Sequence, residues 1–282
     1  MTWKATQVAA LTDDCGALTF DVWDTGPVDA EPPTVLALHG FPQGAQSYRE
    51  VAQILSGRGA RVIAPDQRGY SPGARPVGAE HYGQATLAAD VIAIMDAMGL
   101  DQVHLVGHDW GANIAWVAAA TYPERFSALT AVSIPHPSAF GEAYKIDADQ
   151  KKRSGYFQLF WQVGVAEETL LADDAVRLRE ILADIGPERA GRYVERLQQP
   201  GALTAALNYY RAMSSANAAT PAVTVPTTLV WSDHDDAVGP TGPRLCAKYV
   251  DADYRLITLE GVSHWIPELA APQLAEAIES RL

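Results

Sequence analysis

Short apolar runs alternate along the chain with stretches of helical spacing. Residues 18–26 (LTFDVWDTG) alternate apolar and polar positions, as a half-buried strand does, and end in a turn. Residues 33–42 (PTVLALHGFP) form a continuous apolar run, as expected of a strand covered on both faces of a parallel sheet. Residues 47–59 have helical spacing and stop at glycine, and 61–70 read as a strand running into a loop. Residues 82–100 predict an amphipathic helix. The pair QVHLVGHD and GANIAWVAAATYP repeats strand, turn and helix, and 126–137 predict a strand with a proline-rich exit. This alternation predicts an α/β fold, a mostly parallel sheet flanked by helices.

The pattern breaks after Ser138. Residues 139–219 carry helical segments rich in tryptophan and tyrosine, with no convincing strand. The strand signal resumes at 221–236; RLCAKYV reads as a helix, YRLITLEGVSH as a strand and APQLAEAIESRL as a last helix. The final strands are too few to fold alone. The expected organisation is therefore a core of 1–138 and 220–282, interrupted by a helical cap of 139–219.

With 48% hydrophobic residues in 282, the chain can bury a sizeable core. Its net charge of −13 argues against nucleic acid, which needs clustered Lys and Arg. No run of about 18 apolar residues predicts a membrane span, and the N-terminus lacks the form of a signal peptide. Cys15 and Cys246 stand in no metal or redox spacing and read as reduced thiols of a cytoplasmic protein. The acids at 233–236 have no second ligand group at matching spacing, so no metal is expected. Gly40, Gly107 and Gly111 belong to turns rather than to a dinucleotide fingerprint, and no cofactor is expected. Arg68 and Arg75 are read as braces for backbone and acids, and His136 as a hinge or packing residue.

The chemistry centres on VHLVGHDWGANIAW, residues 103–116. Small residues at 107, 111 and 112 allow a sharp turn from strand to helix, with the side chain of Asp109 projecting at its tip. The helix aims N–H groups and the positive end of its dipole at the same spot; an ordinary helix-capping Asp would look the same in isolation. The stretch resembles the G-x-S-x-G nucleophile elbow of α/β-hydrolases, with Asp109 in place of serine. Acids at 233–236 and His264 in EGVSHWIPE follow in the order those enzymes use. The resemblance implies Asp109 as nucleophile, His264 as base, and an oxyanion hole from the N–H groups of Phe41, in HGFP, and Trp110. The family's spacing, counted from Ser232, points to Asp235 as the acid that orients the imidazole. Asp236 is the alternative, and Asp233 is read as a loop cap.

A carboxylate at this position narrows the substrate. Attack on an ester carbonyl would give a high-energy anhydride, whereas attack on a saturated carbon gives an ordinary alkyl ester that activated water can hydrolyse. The substrate class is therefore an epoxide or an alkyl halide. HGFPQ, DQRGYSPGARP, GHDWGA, DHDDAVGP and EGVSHW together resemble the epoxide hydrolase and haloalkane dehalogenase branch of the superfamily over essentially the whole chain. LNYYRA and GYFQLFWQVGVAE resemble epoxide hydrolase cap motifs, which implies Tyr210 and Tyr156 on the oxirane oxygen. Dehalogenases often carry Asn where Phe41 stands here. Trp161 keeps the dehalogenase alternative open as a second halide donor. Otherwise Trp161, Trp110 and Phe157 are expected to wall the substrate site, a pattern that a packed core also produces. The reading is an epoxide hydrolase acting on a small apolar epoxide and water, as a monomer or homodimer. The remaining alternative is a non-catalytic ligand-binding member of the fold.

Overall fold

The computed structural model describes residues 3–26, 32–213 and 219–282. Eight strands form one sheet: β1 (Lys4–Thr12), β2 (Gly16–Asp24), β3 (Thr34–Leu38), β4 (Arg61–Pro65), β5 (Val103–His108), β6 (Phe126–Val132), β7 (Thr227–Ser232) and β8 (Tyr254–Leu259). Their order is β1-β2-β4-β3-β5-β6-β7-β8. Only β1 and β2 break the parallel arrangement: β1 pairs antiparallel with β2, and β2 antiparallel with β4. The expected α/β-hydrolase fold is the fold observed. β1 was not read from the sequence. Its ladder is mostly exposed, so it lacks the apolar run or clean alternation that marks a buried strand.

Alternation within the strands sends side chains to two cores. On β3, Leu36 and Leu38 face one cluster while Val35 and Ala37 face the other. The second face is covered by α1 (Arg49–Gly57) and, from the far end of the chain, α12 (Ala271–Glu279). The first is covered by α2 (Gln84–Ala97) and α3 (Trp110–Thr121). Between β6 and β7 the chain forms α4 (Pro137–Ile146), α5 (Ala148–Arg153), α6 (Phe157–Phe160), α7 (Val165–Ile181), α8 (Pro187–Leu197) and α9 (Ala202–Arg211). α10 (Thr241–Leu245) and α11 (Ile266–Leu269) follow β7 and β8 respectively. Helix α7 is broken inside: Asp173, Asp174 and Ala175 all have left-handed φ values of 50–56°.

His136 sits fully buried at the N-cap of α4, where the chain leaves the core. Its Nδ1 accepts from the Ser138 N–H and its Nε2 donates to the Pro221 carbonyl at 3.0 Å, tying the outgoing and returning strands together. Arg68 is buried between Asp14 and Asp90, and Arg75 holds the carbonyls of Gly69, Tyr70 and Pro200. Both cysteines are free thiols.

Helix α3 packs against the sheet at glycine. A Cβ on Gly111 would lie 2.0 Å from the Leu38 carbonyl oxygen, and one on Gly107 would lie 2.2 Å from the Gly111 oxygen. Both obstacles are backbone, which cannot rotate aside. Gly111→Ala should therefore destabilise the fold by about 3 kcal/mol, the upper end of overpacking costs, as measured by urea unfolding.

Candidate active site

The turn from β5 to α3 holds Asp109 at φ 52°, ψ −120°, a conformation costing a non-glycine residue roughly 1–3 kcal/mol. The strain lifts the carboxylate out of the helix N-terminus instead of letting it cap it. Asp109 Oδ1 accepts the Phe41 N–H at 2.8 Å, and the Trp110 N–H also bonds the carboxylate. The loops after β3 and β5 thus bring both sequence-predicted oxyanion donors to one side chain.

His264 follows β8. Its Nε2 lies 3.5 Å from Asp109 Oδ2, and its Nδ1 lies 2.8 Å from Asp235 Oδ2. The other oxygen of Asp235 accepts the N–H groups of Ala237 and Val238 at 2.8 and 2.9 Å. Asp235 is therefore the acid on the imidazole. Asp233 holds the Gly261 N–H across the loop, and Asp236 lines the cavity without reaching the ring. Burial opposes charge on His264, but Asp235 and Asp109 together outweigh it and raise its pKa to about 10. Burial likewise opposes charge on Asp109, whose carboxyl His264 nevertheless holds below its ordinary value. The two form an ion pair at neutral pH.

Above this pair lies a cavity of about 600 Å³. Its floor is Phe41, Asp109 and His264, and its walls include Tyr156, Phe160, Leu159, Tyr210 and Trp265. Its rim is charged, with Arg177, Glu180 and Asp184 from α7 and its C-terminal end. Tyr156 and Tyr210 interact through their hydroxyls, with ring centroids 6.1 Å apart, and the Tyr210 hydroxyl also interacts with the Trp110 side chain. Phe157 and Trp110 line a small side pocket beside Asp109. Trp161 departs from the expected substrate wall. The residue is 43% exposed, lines a separate surface depression, and spends its indole N–H on the Tyr210 carbonyl at 3.0 Å. It lies one turn after Phe157, with the two ring centroids 6.0 Å apart, and faces outward beyond it. Tyr209, next to Tyr210, points elsewhere and donates to the Arg68 carbonyl.

The structure adds residues that sequence reasoning missed. His108 Nε2 and the Ser133 hydroxyl both donate to the His264 carbonyl, at 2.9 and 3.1 Å, fixing the base from behind. Arg153 of α5 reaches the Asp235 carbonyl at 2.6 Å, and Gln150 bonds Ala237 and Gly239. These contacts link segments far apart in the chain, and no local motif marks them. Among the described residues, Asp14, Cys15 and His81 are a group with metal-ligand chemistry, but the Arg68 guanidinium already fills it at 2.8–2.9 Å from Asp14.

A strained carboxylate at a strand–helix turn, an acid-backed histidine and two converging amides form the arrangement that the resemblance to α/β-hydrolases implies. Residues 33–271 match the family model described as alpha/beta hydrolase fold, and the chain belongs to that family. It is 34% identical over 245 residues to AB hydrolase superfamily protein YfhM of Bacillus subtilis (strain 168), a match covering 83% of this chain and 84% of that one. It is 33% identical over 248 residues to epoxide hydrolase 4 of Mus musculus, covering 84% and 69%. A solved structure described among novel epoxide hydrolases of the superfamily, from metagenomes of hot environments, matches with a TM-score of 0.85 at 27% identity, covering 100% and 99%. No helix among the described residues is long and apolar enough to cross a membrane.

Asp235→Asn keeps the shape of the acid and removes its charge, so the imidazolium loses its nearest anion. NMR titration of the His264 ring should then give a pKa clearly below about 10.

Proposed function

We propose that the protein is an epoxide hydrolase that converts an apolar epoxide to a vicinal diol through an alkyl ester on Asp109. The observation that carries this reading is the pairing of a strained carboxylate nucleophile with two tyrosine hydroxyls in one cavity. A carboxylate suits a saturated electrophilic carbon, and the tyrosines suit an oxygen leaving group that needs hydrogen bonds and a proton. The relatives named as epoxide hydrolases support the same reading. A halide leaving group calls instead for N–H donors. Trp161, the candidate second donor, already donates to a backbone carbonyl, and Phe41 offers no side-chain donor.

In this mechanism Oδ1 of Asp109 is held by Phe41, and Oδ2, on the His264 side, attacks a ring carbon. The Oδ2–C bond forms as the ring C–O bond breaks, and Tyr156 or Tyr210 protonates the departing alkoxide. Oδ1 thereby becomes the ester carbonyl oxygen, already accepting the Phe41 N–H, with the Trp110 N–H on the same carboxylate to complete the hole. Ester formation also removes the negative charge that helped keep His264 protonated. The imidazole pKa falls, the ring gives up its proton, by way of water, to the tyrosinate left by that transfer, and the neutral imidazole becomes the base that activates water. Hydroxide attacks the Asp109 carbonyl carbon, and collapse expels the diol and restores the carboxylate with one oxygen from water. Trp110 and Phe157 wall the substrate, and helices α4–α9 act as the cap.

Turnover of terminal and aryl epoxides in H₂¹⁸O should give diol and place ¹⁸O in the peptide containing Asp109. Asp109→Asn should abolish turnover, and His264→Gln should accumulate protein heavier by the mass of one substrate. Diol without label in that peptide would remove Asp109 from its role. Halide release from haloalkanes with the label present would transfer the function to dehalogenation. A ligand bound with neither turnover nor label would favour the binding-protein reading.

The loss of charge at Asp109 also sets a pH dependence. Hydrolysis of the ester needs neutral His264, so its single-turnover rate should rise with pH through a pKa below the resting value of about 10. Ester formation needs only ionised Asp109 and should persist at lower pH.

A further inference from the structure

Four residues past His264, on α11, Glu268 carries a carboxyl that the mechanism above does not use. It is 8% exposed and joins three separate segments. One oxygen accepts the Tyr193 hydroxyl of α8 at 2.9 Å, and the other accepts the side-chain amide of Gln43. Gln43 is fully enclosed, at 1% exposed, and lies two residues past Phe41. Its backbone N–H closes the turn onto the Gly40 carbonyl at 3.0 Å, so its position and that of the Phe41 peptide are linked. Arg189, one turn before Tyr193, donates to the Glu268 carbonyl at 3.0 Å and pairs with Glu50 on α1.

The amide oxygen of Gln43 is buried with no partner. An unsatisfied buried acceptor is costly, and reversing the amide while Glu268 carries a proton would pair it. Burial pushes the Glu268 carboxyl up to about 7, against the pull of Tyr193, Gln43, Arg189 and Arg192. Both pairings with Gln43 are therefore available near neutral pH, and each ties the loop to α11.

We propose that Glu268 is a positioning residue for ester hydrolysis: through Gln43 it sets the Phe41 N–H against the ester carbonyl oxygen of Asp109. Through Tyr193 it couples that setting to the seating of α8. The proposal rests on Asp109 being the nucleophile. The oxyanion hole carries its load when the tetrahedral intermediate forms, so loosening Phe41 should burden hydrolysis more than ester formation. A carboxyl that merely stabilised the fold would not distinguish the two half-reactions.

The test is single-turnover kinetics of the full chain with styrene oxide, following ester by quenched mass spectrometry and diol by chromatography. Glu268→Leu should slow hydrolysis about tenfold or more, less than the roughly 10²–10³ seen when an oxyanion donor is removed outright. Ester formation should change by no more than about threefold, since Oδ2 remains free to attack. Ester should then accumulate in the steady state, with kcat and KM falling together. Glu268→Gln, which can still bond both Tyr193 and a reversed Gln43 amide, should recover most of the lost rate. So should the exchanged pair Gln43→Glu with Glu268→Gln. If Glu268→Leu melts too low to assay, Gln43→Leu carries the same expectation. Parallel slowing of both half-reactions, or unchanged hydrolysis in a folded Glu268→Leu protein, would overturn the proposal. Failure of the wild-type protein to form any ester would overturn the nucleophile assignment, and it would be seen before a variant is made.

Discussion

A buried imidazole stands between two carboxylates, 2.8 Å from Asp235 and 3.5 Å from Asp109. Two anions sharing one cation leave a net negative charge away from water, which is tolerated only if the remaining oxygens are hydrogen-bonded. The surrounding backbone meets that condition. Asp109 takes the N–H groups of Phe41 and Trp110, and Asp235 takes those of Ala237 and Val238. Each of those amides comes from a loop at the end of a parallel strand, so the sheet register fixes the electrostatics of the site. The two glycines of the β5–α3 turn matter for the same reason: they let α3 come close enough to the end of β3 for the Phe41 amide to reach Asp109.

Much of this was legible in the sequence because it is local. The elbow is a turn defined by small residues at fixed offsets around Asp109, and the order of Asp109, the acidic loop and His264 follows from chain order alone. The strands of the parallel core announce themselves by burial on both faces. β1 escaped because an edge strand buried on few positions has no such signature. Trp161 was misjudged because sequence does not show where an indole N–H finds its acceptor: one turn after Phe157, it bonds the Tyr210 carbonyl and borders a separate depression. Choosing among Asp233, Asp235 and Asp236 needed a spacing rule, since three acids in four positions carry no distinguishing pattern. His108, Ser133, Gln43 and Glu268 were out of reach, because their meaning comes from partners more than 100 residues distant.

The helical insertion is held to the core in two different ways. Helix α8 presents Arg189, Tyr193 and Arg196, spaced i, i+4 and i+7 on one face. All three bond the core: Arg189 to Glu50, Tyr193 to Glu268, and Arg196 to Asp66 at 2.7 Å. A polar stripe in the position usually given to leucines makes this contact specific in register and sensitive to its partners. Helix α5 instead grips the loop of the acid, through Arg153 and Gln150. Helix α7, broken at Asp173–Ala175, contributes the cavity rim and carries neither set of ties to the loops of the catalytic residues.

The cavity is graded along its depth, with aromatic and aliphatic walls over Asp109 and charged side chains at the opening. The epoxide of the proposed reaction has one weak acceptor and gains most from the apolar walls. The diol of the proposed reaction has two hydroxyls, each able to donate and accept, and the aromatic rings and aliphatic side chains of the walls offer them nothing in return. The same walls that draw the reactant inward therefore hold the product less well, and Arg177, Glu180 and Asp184 offer it partners on the way out. Chemistry that adds water to the molecule thus reverses its preference between the two ends of the cavity, and turnover itself supplies a bias toward release.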